Sequence, residues 1–336
     1  MGQRTVPAAV TTNTRTVRSG ALLGEARPVG PGTERPRRRS AATRRLRRRA
    51  LIPALIFLAP MLALYGVYYV YAFIFLGQTS RENVDLSFSG ATAAGWRNFQ
   101  LVLTDPLFWK SIENNLLFAA VQIAVALTLG FFLAVSLSSG VRFRRFFYIA
   151  FLLPSLVPLS LFATVFGQMI QTNGGALNQT LHDLGLGALA QDWTGNPTAA
   201  YFAVFLLLTY LIGLPIMYYT AGLTTVNTAV LEAAQIDGAS SGQMYRLILF
   251  PMLRGTHKTV ILSVLLGSFR WFELIYFSTN SQPSGGTSIA GTYIYGQMFP
   301  STGSAEIGYA SAASVIVLVI AIAVSGINIL VQRRRQ

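Results

Sequence analysis

The chain has 336 residues, 52% of them hydrophobic and only 11% charged, against about 25% charged residues in an ordinary soluble domain. That deficit excludes a chain that is disordered throughout and argues against a soluble enzyme. The net charge of +14 is concentrated at one end: residues 1–50 hold 13 Arg and 2 Glu, while residues 51–336 hold 13 Lys or Arg and 10 Asp or Glu.

The first segment, 1–50, is rich in Arg, Pro, Gly, Thr and Ala and poor in large apolar residues, which predicts a disordered tail. Its Arg cluster fits either nucleic acid or an anchor beside anionic headgroups. No aromatic interleaving or nucleic-acid-binding fold accompanies the charge, which favours the anchor. The charged stretch is too long for a signal peptide, and so is the apolar run after it.

Six apolar runs follow, at about 51–76, 116–138, 146–169, 199–222, 259–279 and 309–331. A helix needs about 20 apolar residues to cross a hydrocarbon core of about 30 Å, so each predicts a membrane-spanning helix. The first and last runs carry no charge, the second carries Gln122, the third Pro154 and Pro158, the fourth Pro215, and the fifth Arg270 and Glu273. The fold class expected is all-α: a polytopic membrane protein with six transmembrane helices over 51–336.

Basic residues sort to alternate connections. Arg35 to Arg49 precede the first run, Arg142, Arg144 and Arg145 follow the second, Arg246, Arg254 and Lys258 follow the fourth, and Arg333, Arg334 and Arg335 follow the last. The intervening connections, 77–115, 170–198 and 280–308, carry only Arg81, Arg97 and Lys110, with most of the acids. Because positive loops stay in the cytoplasm, both termini are expected there.

Several kinds of site chemistry are missing from the sequence. The chain has no Cys, hence no disulfide, thiolate site or Cys nucleophile. His182 and His257 are too few and too far apart in sequence for a His-based metal centre. The only lysines, Lys110 and Lys258, follow Trp109 and His257, so there is no Gly-Lys-Ser/Thr phosphate loop. Gly185-Leu-Gly187 lacks a preceding strand and reads as loop. Asn178-Gln-Thr180 matches a glycosylation acceptor, a tripeptide frequent by chance. No Ser has a His and an acid at suggestive positions, so no catalytic residue is assigned.

The connection 223–258 is too patterned for a linker. LEAAQIDGA over 231–239 and QMYRLILF over 243–250 predict two short helices meeting at a bend that contains Gly238 and closed by Pro251. Such an element suits either a docking surface or an amphipathic helix resting on headgroups. Its residues carry a family resemblance. Glu232-Ala233-Ala234, three residues, Gly238, nine residues and Ile248-Leu249-Phe250-Pro251 resemble the EAA loop of bacterial ABC importer permeases, E-A-A-x3-G-x9-I-x-L-P, with Phe250 in place of Leu. The string EAAQIDGA is similar to the carbohydrate-importing branch, the relatives of the maltose and glycerol-3-phosphate permeases. Leu153-Pro154 with Val157-Pro158, Gly174 to Asn178 with Gly185-Leu186, Phe272-Glu273-Leu-Ile-Tyr276, and Gly308-Tyr309-Ala310-Ser-Ala312 extend the resemblance over about 51–331. It departs after the fifth run, where the family's T-x-G-G-P is replaced by Thr279-Asn-Ser-Gln-Pro-Ser-Gly-Gly.

The resemblance implies a permease subunit in a bacterial cell membrane, forming the path for a sugar. It implies that Glu232, Ala233, Ala234, Asp237, Gly238, Ile248 and Pro251 couple to nucleotide-binding ATPase subunits. ATP and Mg would lie on those subunits, with no cofactor or metal in this chain. Further implied partners are a second permease, identical or homologous, and an extracytoplasmic solute-binding protein; membrane lipids surround the spans and no nucleic acid is expected. Arg270 and Glu273, three apart, are expected on one helical face, either as an ion pair or bordering the path with Trp271 and Tyr276. Gln122, Gln168, Tyr210 and Asn280 suit either the path or helix–helix hydrogen bonds. Pro154, Pro158 and Pro215 suit static kinks or hinges. Trp96, Trp109 and Trp193 in the external connections suit a docking edge or the lipid interface. The other readings are a permease for a non-sugar solute, a secondary transporter, which needs no EAA loop, and a membrane enzyme, which lacks a catalytic constellation.

Overall fold

The computed structural model describes residues 41–87, 90–282, 284–301 and 304–334; residues 1–40 of the tail expected to be disordered lie outside them. Two units divide the chain, Met1–Tyr65 and Gly66–Gln336. Helix α1 (Ala41–Thr79) runs 39 residues and holds Pro53 and Pro60. It starts ahead of the apolar run expected at 51–76, so residues 41–50 of the tail are helical. The sequence AATRRLRRRA is made largely of strong helix formers. Its membrane-crossing part is Ile56–Thr79.

The second unit is almost wholly helical. A two-residue ribbon, β1 (Glu82–Asn83) against β2 (Thr92–Ala93), leads to α2 (Arg97–Thr104) and α3 (Pro106–Val125). Asp105 starts α3: its carboxylate accepts from the Leu107 amide at 2.8 Å, and Pro106 occupies the first helical position, where a missing N–H costs nothing. A π-helical turn, Ala126–Gly130, carries α3 into α4 (Phe131–Ser138), giving one span of 33 residues. Helices α8 (Pro197–Tyr210) and α9 (Gly213–Leu223) form a second continuous span, Pro197–Leu223, and α16 (Ile307–Arg334) holds a third, Ile307–Gln332.

The runs expected at 146–169 and 259–279 are not single rods. Helices α5 (Arg144–Leu156) and α6 (Leu159–Met169) meet at 98°, and α13 (Arg254–Ser268) and α14 (Phe272–Ser278) meet at 58°. At 13 and 11 residues, α5 and α6 are each too short to cross alone. With the four unbroken spans, the two bent pairs account for the six runs. The first break has a plain cause: Val157 precedes Pro158 and is held extended, at φ −77° and ψ 140°. The second halves of the broken spans pack on each other. A Cβ on Gly167 of α6 would lie 2.8 Å from the Phe277 carbonyl of α14, so only a residue without a side chain permits that approach.

Short helices fill both ends. Helix α7 (Ala176–Asp183) and a 3₁₀ turn at Gly187–Leu189 lie between α6 and α8. There Asn178 is buried. It donates to the Gln191 carbonyl at 3.0 Å and accepts from the Trp193 indole at 2.8 Å, so its amide is used inside the loop and is not presented as a glycosylation acceptor. Hydrogen bonds from the Thr172 hydroxyl and then from the Gly195 and Thr194 amides hold the Asp192 carboxyl below its usual range. Between α9 and α13 lie α10 (Thr228–Ile236), α11 (Ser241–Gln243), a π-helical turn at Met244–Leu249, and α12 (Phe250–Met252). Helix α15 (Ala290–Met298) precedes α16.

Among the described residues, three apolar clusters form the core. One joins Phe118 of α3, Ala163 and Phe166 of α6, Leu207 of α8, and Trp271 and Leu274 at α14. A second, at the end that carries α10, joins Ala134, Ile216 and Tyr219 to Leu249, Leu253 and Val260. The third joins Val102, Phe108, Tyr293 and Ala312. Buried and half-buried polar groups tie these clusters at the opposite end. Asp105 accepts from the hydroxyls of Tyr293 at 2.5 Å and Tyr309 at 3.1 Å, while those hydroxyls lie 2.7 Å apart. One carboxylate thus caps α3 and holds α15 and α16. Burial, and then the bond to Asp105, push the Tyr293 phenol well above its ordinary range. Asn114 donates to the Gly286 and Ser288 carbonyls at 2.7 and 2.8 Å and accepts from Tyr201. Asn115 accepts from the Ala290 amide at 3.2 Å.

Tyr293→Phe removes a hydrogen bond to a charged group, a loss of about 1.5–3 kcal/mol. It should lower the melting temperature of the detergent-solubilised protein. Tyr309→Phe, whose bond to Asp105 is the longer, should lower it less. Equal melting of both variants and the wild type would show that the node does not hold α15 and α16.

Candidate functional site

The two helix breaks open on one space. A cavity of about 380 Å³ is bordered by Pro154, Ser155, Val157 and Leu159 at the first break and by Gly267 and Trp271 at the second. Gln122 of α3, Pro215 and Tyr218 of α9, and Ser263 of α13 complete much of its wall. Non-helical backbone at membrane depth survives where it is buried in protein or lines a water-filled space, and here both interruptions flank the same one. Gln122 is only 2% exposed. Its amide nitrogen donates to the Leu211 carbonyl at 3.4 Å, and its Oε1 has no partner among the described residues. A buried acceptor left unpaired is costly and calls for a reason. Trp271 is buried at the break, with its ring on the same cavity. The chemistry offered is mixed: an amide oxygen, two serine hydroxyls, an indole face and an apolar wall.

A second recess, about 350 Å³, lies at the end away from α10. Gln168, Gln171, Thr172 and Thr194 line it, with Ser278, Asn280 and Gln282. Asn280 and Ser281 take left-handed backbone conformations, φ 49° and 60°, uncommon for residues with side chains. This is where the chain departs from the family's T-x-G-G-P pattern.

Of the residues singled out for a substrate path, Gln122 and Trp271 meet at the cavity, and Asn280 and Gln168 meet at the outer recess. Arg270, Glu273 and Tyr276 line neither. The break leaves Arg270 between helices and puts Glu273 in the first turn of α14, so they do not share one continuous helical face. Both are exposed and make no ion pair with each other. Tyr276 instead packs on Phe272 at 5.2 Å and Tyr295 at 4.9 Å between ring centres. Tyr210 is exposed and packs on Phe162.

The loop 223–258 is a compact helical element. Asn227 caps α10 by accepting from the Ala229 amide at 3.0 Å. Gly238, at φ 79°, closes it: the Gly238 amide donates to the Gln235 carbonyl and the Ala239 amide to that of Ala234, the pattern of a glycine C-cap. Ser240 and Gln243 exchange hydrogen bonds and start α11. Leu249 and Leu253 bury themselves in the core and fix the loop to the bundle. Glu232, Ala233, Asp237 and Gly238 face outward, Ala234 is buried against its own chain, and Ile248 and Pro251 are half-buried. Ile236 is 86% exposed, beside Glu232 and Ala233.

His257 is a residue that sequence reading passed over. Its Nε2 lies 2.8 Å from the Phe250 carbonyl and its Nδ1 2.7 Å from the Tyr219 hydroxyl. A carbonyl only accepts, so Nε2 carries the proton and Nδ1 of the neutral ring accepts from Tyr219. One imidazole therefore joins α9, α13 and the loop. Nothing in the sequence around His257 signals this, because Tyr219 is 38 residues away.

Comparison with known proteins bears on these features together. Residues 126–336 match the family described as binding-protein-dependent transport system inner membrane component. A protein named "Probable ABC transporter permease protein" from Pyrococcus horikoshii is 30% identical over 288 residues, covering 83% of this chain and 95% of the relative. The lactose transport system permease protein LacF of Rhizobium radiobacter is 27% identical over 80% of this chain and 90% of its own. The fold is shared with a bacterial alginate ABC transporter crystallised with an alginate pentasaccharide-bound periplasmic protein. That match has a TM-score of 0.70 at 20% identity and covers 87% of this chain and 96% of the other. The chain belongs to the family of binding-protein-dependent transport system inner membrane components.

Proposed function

We propose that this chain is one transmembrane subunit of an ATP-driven importer that passes a sugar through the cavity between its two broken helices. The observation that carries the reading is the meeting of both breaks at Gln122 and Trp271. A sugar presents hydroxyls and apolar ring faces. The unpaired Gln122 oxygen suits a hydroxyl donor, and the Trp271 ring suits a ring face. The lactose permease relative and the alginate transporter support a carbohydrate over other solutes.

Energy would enter at the other end. The chain has no phosphate loop, so ATP and Mg belong on separate nucleotide-binding subunits, and the outward residues of α10 are the surface offered to them. Glu232 supplies a charge for a basic partner, Ala233 permits close approach, and Ile236 supplies apolar area to bury. Asp237 and Gly238 turn the chain away at the edge of that patch, while Ile248 and Pro251 brace it. A solute-binding protein would dock at the opposite end, on the recess of Gln168 and Asn280, with a second permease subunit completing the path. In this reading α10 and both termini lie on the cytoplasmic side of a bacterial cell membrane, which the pattern of basic connections supports.

The assembled transporter, reconstituted with nucleotide-binding subunits and a binding protein, should hydrolyse ATP faster with one member of a sugar panel. Stimulation by another solute class alone would overturn the sugar assignment. Glu232→Lys and Gly238→Asp should each cut sugar-stimulated hydrolysis by about tenfold or more, the effect of losing about 1.4 kcal/mol at the docking surface, with membrane insertion unchanged. Full activity in both variants would remove α10 from coupling. Gln122→Leu should slow sugar uptake about tenfold, the loss of one hydrogen bond to substrate, and leave basal ATP hydrolysis unaltered. Uptake at the wild-type rate would take Gln122 off the path.

A further inference from the structure

At the end that carries α10, three spans stop around one recess. Helix α4 ends at Ser138, α5 starts at Arg144 and α9 ends at Leu223. The recess between them measures about 530 Å³ and is lined by Arg144, Arg145, Tyr148 and Ile149 of α5 and by Thr220 and Thr224 beside α9. Because apolar spans end there, it lies where hydrocarbon gives way to headgroups.

Thr220 and Thr224 spend their protons on the Ile216 and Ala221 carbonyls, at 2.8 and 2.7 Å. Arg144 and Arg145 are exposed, and among the described residues neither guanidinium has a carboxylate or other hydrogen-bond partner and no acid lines the recess. The Tyr148 hydroxyl makes no hydrogen bond among the described residues. The donors left free are two cations and a phenol, which suit an anion rich in acceptor oxygens. The apolar side chains identify its source: Leu137, Ile149 and Leu223 line the recess, and exposed apolar residues continue from it along α5. Phe143, Phe146 and Ile149, three residues apart along the start of α5, are 70%, 66% and 62% exposed. Phe143 takes φ 64°, an uncommon conformation for a bulky residue, directly before the two arginines. A soluble anion has no use for an apolar rim, whereas a lipid needs one for its chains.

We propose that this recess binds an anionic glycerophospholipid: Arg144, Arg145 and Tyr148 hold the phosphodiester, and an acyl chain lies along Phe146 and Ile149. Basic pockets between membrane helices are suited to such headgroups. The site is separate from the cavity at the helix breaks and from the outward face of α10.

The test uses the full-length chain, with any subunits that co-purify, in a neutral detergent. Native mass spectrometry reads retained lipid after incubation with phosphatidylglycerol or with phosphatidylcholine of the same chains. The wild type should retain phosphatidylglycerol at least about tenfold better, the size expected of two arginines at a membrane surface. Arg144→Gln/Arg145→Gln should fall to the phosphatidylcholine level, while Arg254→Gln, an exposed arginine outside the recess, should not. If the double variant does not elute as a single species, Ile149→Glu, which sets a carboxylate at the rim, must lower retention by the same factor. Equal retention of both lipids by the wild type, or undiminished retention in a folded variant, overturns the proposal. Displacement of phosphatidylglycerol by an equal concentration of inorganic phosphate also overturns it, by showing a site for a free anion. Recess-dependent retention that disappears in the complex with co-purified subunits shows a protein interface there instead.

Discussion

Inside a bilayer no water is present to take up a free N–H or C=O, so a spanning chain must satisfy its own backbone. The fold follows from how this protein meets that rule and where it breaks it. Among the described residues, four spans run without a sharp bend and two are bent, by 98° and 58°. Both bends border one cavity instead of being scattered. A break facing lipid would leave backbone groups unpaired in hydrocarbon. The two breaks that face one cavity share a space where a few polar groups, Gln122, Ser155 and Ser263, stand in an apolar wall, and the second halves, α6 and α14, pack on each other at Gly167.

The two ends are held by different physics. The end opposite α10 is fixed by polar groups, the half-buried Asp105 node and the buried Asn114–Asn115 pair, each joining helices far apart in sequence. The α10 end is fixed chiefly by apolar side chains, Leu249 and Leu253 in the second core cluster. Directional bonds define one arrangement, whereas apolar contacts tolerate sliding. The α10 end carries a directional pin of its own, His257, bonded to Tyr219 and to the Phe250 carbonyl.

The sequence made the spans legible because apolar length is a local property. It made the loop 223–258 legible because its helix formers, Gly238 and Pro251 mark their own boundaries. The first break was partly visible in Pro154 and Pro158. The second was not, since no proline falls between Gly267 and Phe272. Arg270 and Glu273 therefore read as neighbours on one helix when a break divides them. Within the candidate site, Gln122 and Trp271 were found as polar or aromatic residues in apolar runs, but their convergence was not visible. The pins escaped notice altogether: Asn114 meets Gly286 across 172 residues and Asp105 meets Tyr293 across 188. Pairing at that range leaves no pattern in a single sequence.

His257 carries one more consequence. With both ring nitrogens engaged, the imidazole acts as a rivet through three plates: the α9 helix, its own α13 helix and the Phe250 carbonyl of loop 223–258. A rivet transmits displacement and forbids slip. A push on α10 that travels through the loop to Phe250 must either carry α9 and α13 with it or shear a hydrogen bond. Both helices wall the cavity at the helix breaks, so one aromatic ring ties loop 223–258 to two of its walls.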